Sequence, residues 1–249
     1  MVISIRQYIE RIRQSMETER AMKEKELMME AHLKDAKLKY LQAQINPHFL
    51  FNTLNAGAQL AMMEGADKTY EYVQNMAEFF RYNVKKGDET VTIREEMELV
   101  DNYIYILNVR FSGDIHYEKK VDKSILNVEM PSMILQPIVE NCVNHGIREL
   151  AGNGKIKLSA YRMDDVVCIS IKDNGIGMSR ETIEQVMNGT YRDKGLAAGS
   201  NGIGMDNVIA RLKLFSERDD VMTIVSEGEN QGTEVIIYLQ MKEREEEDV

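Results

Sequence analysis

Residues 3–43 contain neither glycine nor proline. Within them Ile5, Ile9, Ile12 and Met16 recur at steps of four, three and four. Leu27, Ala31, Leu38, Leu41 and Ile45 resume a similar spacing in a shifted register. A run with no breaker and one apolar seam is constrained to be a long helix, and a second helix of the same kind buries the seam. A parallel coiled coil between two copies of the chain is expected, roughly 60 Å long at about 1.5 Å per residue. The strongly charged residues 17–26 interrupt the seam where the register shifts. A plain exposed helix is the alternative. The pattern is already mid-helix at Ile3, with no capping residue ahead of it, as for a chain that continues upstream.

The helical spacing goes on through Leu50, Leu54, Ala58 and Ala61, but Pro47 stands in its middle. A proline inside a helix removes a donor and clashes with the preceding turn, at about 3 kcal/mol. A kinked or two-part helix follows. Such a bend would re-aim His48, whose imidazole could act as a nucleophile. Asn52, four residues on, shares its helix face and could orient the ring. A surface histidine on a kinked helix is the plainer reading. A second helix is expected over residues 68–86, after the turn Gly65-Ala66-Asp67. Two such helices from each of two chains make a four-helix bundle.

Thr92 and Glu95 form a capping-box pair that opens a third helix, carrying Met97, Val100, Tyr103, Ile104, Leu107 and Phe111. After Gly113 the period changes. Strands are expected at Ile115–Val121, 155–162, 166–172, Met222–Val225 and 234–239, with helices at 132–148, Arg180–Met187 and 205–216. The fold class is α+β: a helical first part of about 90 residues, then helices layered over a sheet.

Composition removes several function classes. The net charge of −10 argues against general nucleic-acid binding, which depends on neutralising phosphates. No apolar run reaches the length of a membrane span, and no signal peptide is visible. Cys142 and Cys168 are far apart in apolar segments and read as buried thiols. Residues 243–249 read as a solvated acidic tail.

Three segments could carry chemistry. In Leu135-Gln136-Pro137-Ile138-Val139-Glu140-Asn141-Cys142-Val143-Asn144-His145-Gly146 one helix face is apolar. Asn141, Asn144 and His145 share the other, and a neutral amide oxygen there suits Mg²⁺. Asp173-Asn174-Gly175-Ile176-Gly177 follows a strand; the glycines allow close backbone approach, and Asp173 could accept a hydrogen bond from an exocyclic amine. Gly199-Ser200-Asn201-Gly202-Ile203-Gly204 enters a helix whose N-terminus suits an anion. The first two have a bland alternative: a polar helix face and an Asx-capped β-turn. Between Met178 and Gly199 the polar, small-residue stretch from Asn188-Gly189-Thr190 through Lys194-Gly195-Leu196-Ala197-Ala198 reads as a mobile lid. Gln231-Gly232-Thr233 reads as a hairpin turn, with a phosphate contact as the other reading.

In order and company these segments resemble the GHKL ATPase fold: an asparagine in a helix, Asp-x-Gly-x-Gly, Gly-x-Gly at a helix start, then Gly-Thr before a strand. Leu41-Gln42-Ala43-Gln44-Ile45-Asn46-Pro47-His48-Phe49-Leu50-Phe51-Asn52, with Leu135 to Asn141, is similar to the LytS/YesM-type sensor histidine kinases over about residues 38 to 240. Phe80-Arg81-Tyr82 and Val109-Arg110-Phe111 match that family's spacing.

The resemblance implies a coiled-coil signalling helix (1–37), a dimerising phosphotransfer hairpin (38–90) and a GHKL-type α/β sandwich that binds ATP (91–242). His48 would take the γ-phosphoryl of ATP, Asn141 would ligate Mg²⁺, and Asp173 would read the adenine amine. Gly175, Gly177, Gly202, Gly204 and Thr233 would shape the nucleotide pocket. Glu140, Asn144 and His145 would line it, with Glu140 a base or orienter. The partners implied are a second copy of the chain and a response-regulator aspartate. The implied place is the cytoplasmic side of a bacterial membrane, reached only through an upstream membrane-spanning, sensing part. Phe49 stands where many histidine kinases have an acid, so the base for His48 stays open. Asn144 stands where the family often has lysine. Two rivals remain. One is a nucleotide-binding scaffold that transfers nothing. The other is an ATP-hydrolysing relative, disfavoured because Pro137 occupies the place of the water-activating glutamate.

Overall fold

The computed structural model describes residues 47–85, 90–111, 113–147, 150, 152–191 and 203–241, with positions 22, 23 and 29 upstream in helical conformation. The coiled-coil seam, most of the lid and the acidic tail lie outside the described residues. The chain divides into two compact units, Met1–Asn52 and Thr53–Val249.

In the first unit the described stretch is the start of α1, Pro47–Met63. Pro47 is its first residue, a position where a missing N–H costs little. The upstream half of the expected kinked pair lies outside the described residues.

The second unit begins with the rest of α1. Gly65, at φ +70°, ends it in a Schellman motif: Ala66 N donates to Ala61 O at 2.8 Å and Gly65 N to Met62 O at 3.1 Å. Helix α2, Asp67–Lys85, follows. Its Ala77 is buried, as are Ala58 and Ala61 of α1, and small residues of this kind allow close packing. Strand β1, Thr90–Thr92, leads into α3, Ile93–Arg110, and the expected capping box is present with Glu95 N on the Thr92 hydroxyl and Thr92 N on the Glu95 carboxylate. Phe79 of α2 stacks on Tyr103 of α3, with ring centroids 5.6 Å apart.

The sheet is built from β2 (Ile115–Val121), β4 (Gly154–Met163), β5 (Val166–Asp173), β6 (Met222–Val225) and β7 (Glu234–Gln240), in the order β2-β4-β5-β7-β6. The β2/β4 pair is parallel and the other pairs are antiparallel. Burial alternates along β4 and β6, so one sheet face meets the helices and the other meets solvent. The helical layer comprises α3, α4 (Leu135–Asn141), α5 (Arg180–Met187) and α6 (Ile203–Ser216). Ile134, Leu135, Ile138, Leu158, Ile169, Leu212 and Ile237 are fully buried in one core. The α+β class and the five sheet strands match expectation.

Two local features differ. A small antiparallel ribbon joins β1 to β3, Glu129–Pro131, and strands of three residues are too short to show a period. The expected helix over 132–148 is α4 followed by a π-helical turn, Cys142–Ile147. The Gly146 carbonyl in this last turn, which has no partner within the helix, accepts Ile176 N at 3.1 Å. Among the described residues no helix is long and apolar enough to cross a membrane.

Candidate functional site

Asp173 ends β5 at the middle of the sheet and is only 4% exposed. Its backbone N donates to Thr233 O at 2.9 Å. Its Oδ1 accepts from Gly175 N at 2.7 Å, closing an Asx turn, and from Thr233 N at 3.3 Å. The Cys142 thiol also donates to it. Burial pushes the Asp173 carboxyl up, against the pull of these donors. Burial and the Asp173 charge together push the Cys142 thiol well up, as expected of a buried structural thiol. Cys168 is also buried and free, as its segment suggested.

The glycines around Asp173 are there for close approach. A Cβ on Gly146 would sit 3.0 Å from Asp173 Oδ1 and 3.4 Å from Oδ2. One on Gly175 would lie 2.2 Å from the Gly146 carbonyl. Gly177, at φ +71°, brings the backbone against Gly228, whose oxygen would be 2.0 Å from a Cβ. Residues 226–233 zip onto this turn. Gly232 N donates to Gly175 O at 3.0 Å and Asn230 N to Ile176 O at 2.6 Å. Ser226 Oγ accepts from Met178 N and donates to Gly232 O at 2.6 Å. Thr233, 8% exposed, is thus part of the same construction.

Helix α4 supplies the opposite wall. Glu140 and Asn141 are half-buried, while Asn144 and His145, on the π turn, are exposed. Gln136, 5% exposed, donates from Nε2 to Glu140 Oε1 at 2.8 Å. Gly204 lies in the first turn of α6 against α4; a Cβ there would be 3.7 Å from Pro137 Cβ. The structure therefore gathers Glu140, Asn141, Asp173, Gly175, Gly177, Gly204 and Thr233 around the ends of β5, β7, α4 and α6. Gly202 lies outside the described residues. His48 and Asn52 belong to the other unit, and the surroundings of the His48 side chain lie outside the described residues. Arg81 pairs with Glu78 on the α2 surface at 3.1 Å, and the Arg110 guanidinium lies 5.3 Å from the centre of the Phe111 ring.

Sequence reasoning missed three supports. Gly146 closes the α4 motif, and its position against an acid had no local sign. Ser226 sits in an ordinary strand-end loop. Glu96, beside the capping Glu95, is fully buried, with Oε1 accepting from Met133 N at 2.7 Å and the Tyr82 hydroxyl at 2.9 Å. Its Oε2 accepts from Ile134 N and Leu135 N, both at 2.9 Å. Burial pushes its carboxyl up, and the four donors pull it back.

Two family models match this arrangement in tandem. The model for "Histidine kinase" matches residues 36–115, and that for "Histidine kinase-, DNA gyrase B-, and HSP90-like ATPase" matches residues 130–243. The sensor histidine kinase YesM of Bacillus subtilis is 30% identical over 83% of this chain and 34% of its own length. The sensor histidine kinase YpdA of Escherichia coli is 32% identical over 82% of this chain and 34% of its own length. The sensor protein LytS of Oceanobacillus iheyensis is 34% identical over 74% and 31%. The chain spans about a third of the length of these curated relatives. With the histidine segment and the ATPase segment in this order, the chain belongs to the LytS/YesM-type sensor histidine kinases.

Proposed function

We propose that this chain uses ATP to phosphorylate its own His48 and then passes the phosphoryl group to an aspartate of a response regulator. A ring nitrogen of His48 attacks the γ-phosphorus. The P–N bond forms as the bond to the β–γ bridging oxygen breaks, ADP leaves, and the ring proton goes to a base. Such transfer needs little covalent help from the protein beyond placement and charge neutralisation.

The observation that carries the reading is the Asp173 carboxylate. It is buried, accepts two backbone N–H bonds on Oδ1 and the Cys142 thiol, and with about four acceptor sites on its two oxygens keeps capacity for the amine of adenine. Gly146 adds no side chain to fill the space beside it. Among the described residues no cluster of three His, Cys, Asp or Glu side chains could hold an ion. Mg²⁺ arrives with phosphate and water ligands, and the Asn141 amide oxygen would be this chain's own ligand to it. When bound, the ion neutralises phosphate charge. Glu140, oriented by Gln136, is the group we assign as base or as orienter of the reacting end, with Asn144 and His145 at the rim. Asn52 orients the His48 ring. Gly202 and Gly204 lead the nucleotide's phosphates toward α6.

Pro137 stands where an ATP-hydrolysing relative would place its water-activating glutamate, so phosphate is expected on protein rather than free. Residues 38–90 serve as the dimerising hairpin and 91–242 as the ATP domain, in a homodimer that works on the cytoplasmic side of a bacterial membrane. The test is incubation with γ-labelled ATP and Mg²⁺, on the wild type and on His48→Gln. Acid-labile, base-stable label that is absent from the variant is the expected result. Free labelled phosphate with no labelled protein would replace this reading with ATP hydrolysis, and nucleotide binding without either product would replace it with a scaffold.

A further inference from the structure

We infer that Glu96 and Tyr82 form a positioning joint, through which the end of α2 sets how the helix bearing Glu140 and Asn141 is held. The inference rests on the phosphotransfer reading and deepens it. The starting point is an uncapped helix. The residue at the N-cap of α4 is Ile134, which has no side-chain oxygen, and no side-chain cap bond is made there. The residue before it, Met133, is held at φ +58°, a conformation that a non-glycine residue rarely adopts. Both features are stabilised from a distance: Glu96, on α3, accepts from the N–H groups of Met133, Ile134 and Leu135. The carboxylate does the capping that the local sequence cannot do.

The same carboxylate then reaches α2. Its Oε1, already bonded to Met133 N, also accepts the Tyr82 hydroxyl at 2.9 Å. Among the described residues no lysine or arginine pairs with Glu96, so its negative charge is balanced by dipoles from two directions, α4 and α2. A buried carboxylate in such a place is a poor device for stability alone, because well-packed apolar residues do that as well or better. It is a good device for linking two elements through one rigid group. A second link runs in parallel. Phe79 of α2 stacks on Tyr103 of α3, and the Tyr103 hydroxyl feels the charge of Glu140. A cavity of about 200 Å³ lined by Arg81, Tyr82, Glu95 and Asn102 lies beside the tyrosine, which gives it room to move off the carboxylate.

The perturbation is Tyr82→Phe, which removes one hydroxyl and leaves the ring. Losing one hydrogen bond of about 1 kcal/mol corresponds to roughly a five-fold effect. The expected result is a fall of that size in the autophosphorylation rate at saturating ATP. The affinity for a non-hydrolysable ATP analogue should stay within about two-fold of wild type. Hydrogen exchange should quicken at the Ile134 and Leu135 amides and not at the β5 amides. An unchanged rate with unchanged exchange would overturn the joint. So would a rate loss matched by an equal loss of analogue affinity, since that is a damaged pocket. If the wild type itself takes no label at His48, the phosphotransfer reading fails and the exchange measurement alone decides the joint. Protection at Ile134 and Leu135 that is unchanged in Tyr82→Phe would then refute it, and faster exchange there would support it.

Discussion

Gly175→Ala is the sharpest test of how the site is built. The added Cβ would meet the Gly146 carbonyl carbon and oxygen at 2.2 Å and its Cα at 2.4 Å. These are backbone atoms, so no rotamer change relieves the clash. Gly146 cannot retreat, because its own Cα faces the Asp173 carboxylate so closely that a Cβ there would already lie 3.0 Å from Oδ1. Reaching ordinary contact needs a shift of more than an ångström. That shift would break Ile176 N to Gly146 O, now 3.1 Å, and strain Gly232 N to Gly175 O, now 3.0 Å. Two hydrogen bonds at about 1 kcal/mol each, plus about 1–3 kcal/mol of overpacking, give roughly 3–5 kcal/mol. For a unit of this size that is a drop in Tm of about 10 °C. Thermal melts followed by circular dichroism, with binding of a fluorescent ATP analogue, would measure it. Gly57→Ala is the matched control. Its Cβ would meet nothing closer than Val73 Cγ1 at 3.8 Å, so the gain in helix propensity should stabilise by about 0.5–1 kcal/mol. A Gly175→Ala protein that melts within about 3 °C of wild type with unchanged analogue binding would refute the close-approach argument.

Two further outcomes follow from local chemistry. Thr92→Ala removes the side-chain half of the capping box of α3 and should cost about 1 kcal/mol, read as a lower urea midpoint at unchanged slope. Burial, the largest influence on both, raises Asp173 and Glu96 above their ordinary values of 3.8 and 4.5. The folded chain then keeps protons that the unfolded chain has released, so these groups make stability fall as pH rises from about 4 toward the raised values. Urea midpoints measured from about pH 4 to 7 should fall less in Asp173→Asn than in wild type, and a steeper fall in the variant would contradict the sign.

The sheet was legible because its strands are long enough to show a period. Ile115–Val121 and Met222–Val225 can be bounded to the residue, and so can Arg180–Met187, which has Ser179 as its cap. The capping box at Thr92 was legible for the same reason: its signal is local. What could not be read depends on partners far away in sequence. Nothing near Cys142 marks the change from α to π winding, and the Ile176 N–H that meets the Gly146 carbonyl lies thirty residues on from it. Nothing around Glu96 marks it as buried, since it sits in a charged run and three of its four donors lie about forty residues further along. The three-residue strands of the β1–β3 ribbon carry no period at all. Motif spacing picks out Asp173, Gly175 and Gly177 as candidates, but not that Ser226 and Gly232 hold their turn.

The composition of the Asp173 environment bears on what the site can select. None of the groups that act on it is a cation; they are two backbone N–H groups and a thiol, set against burial. A carboxylate paired with arginine would already be satisfied and indifferent to a neutral ligand. This one, with three donors on about four acceptor sites, retains capacity for one more, in a place where an unpaired acceptor costs about 1–3 kcal/mol. A base presenting an amine gains a charge-assisted bond, and a base presenting a carbonyl faces a like dipole. Selection of adenine over guanine should therefore reside largely in this one residue and depend on its being ionised. Lowering the pH should erode discrimination between ATP and GTP before it erodes triphosphate binding. Competition titrations of ATP against GTP over a pH series would show it. Parallel loss of both affinities would mean that Asp173 holds the fold rather than reads the base.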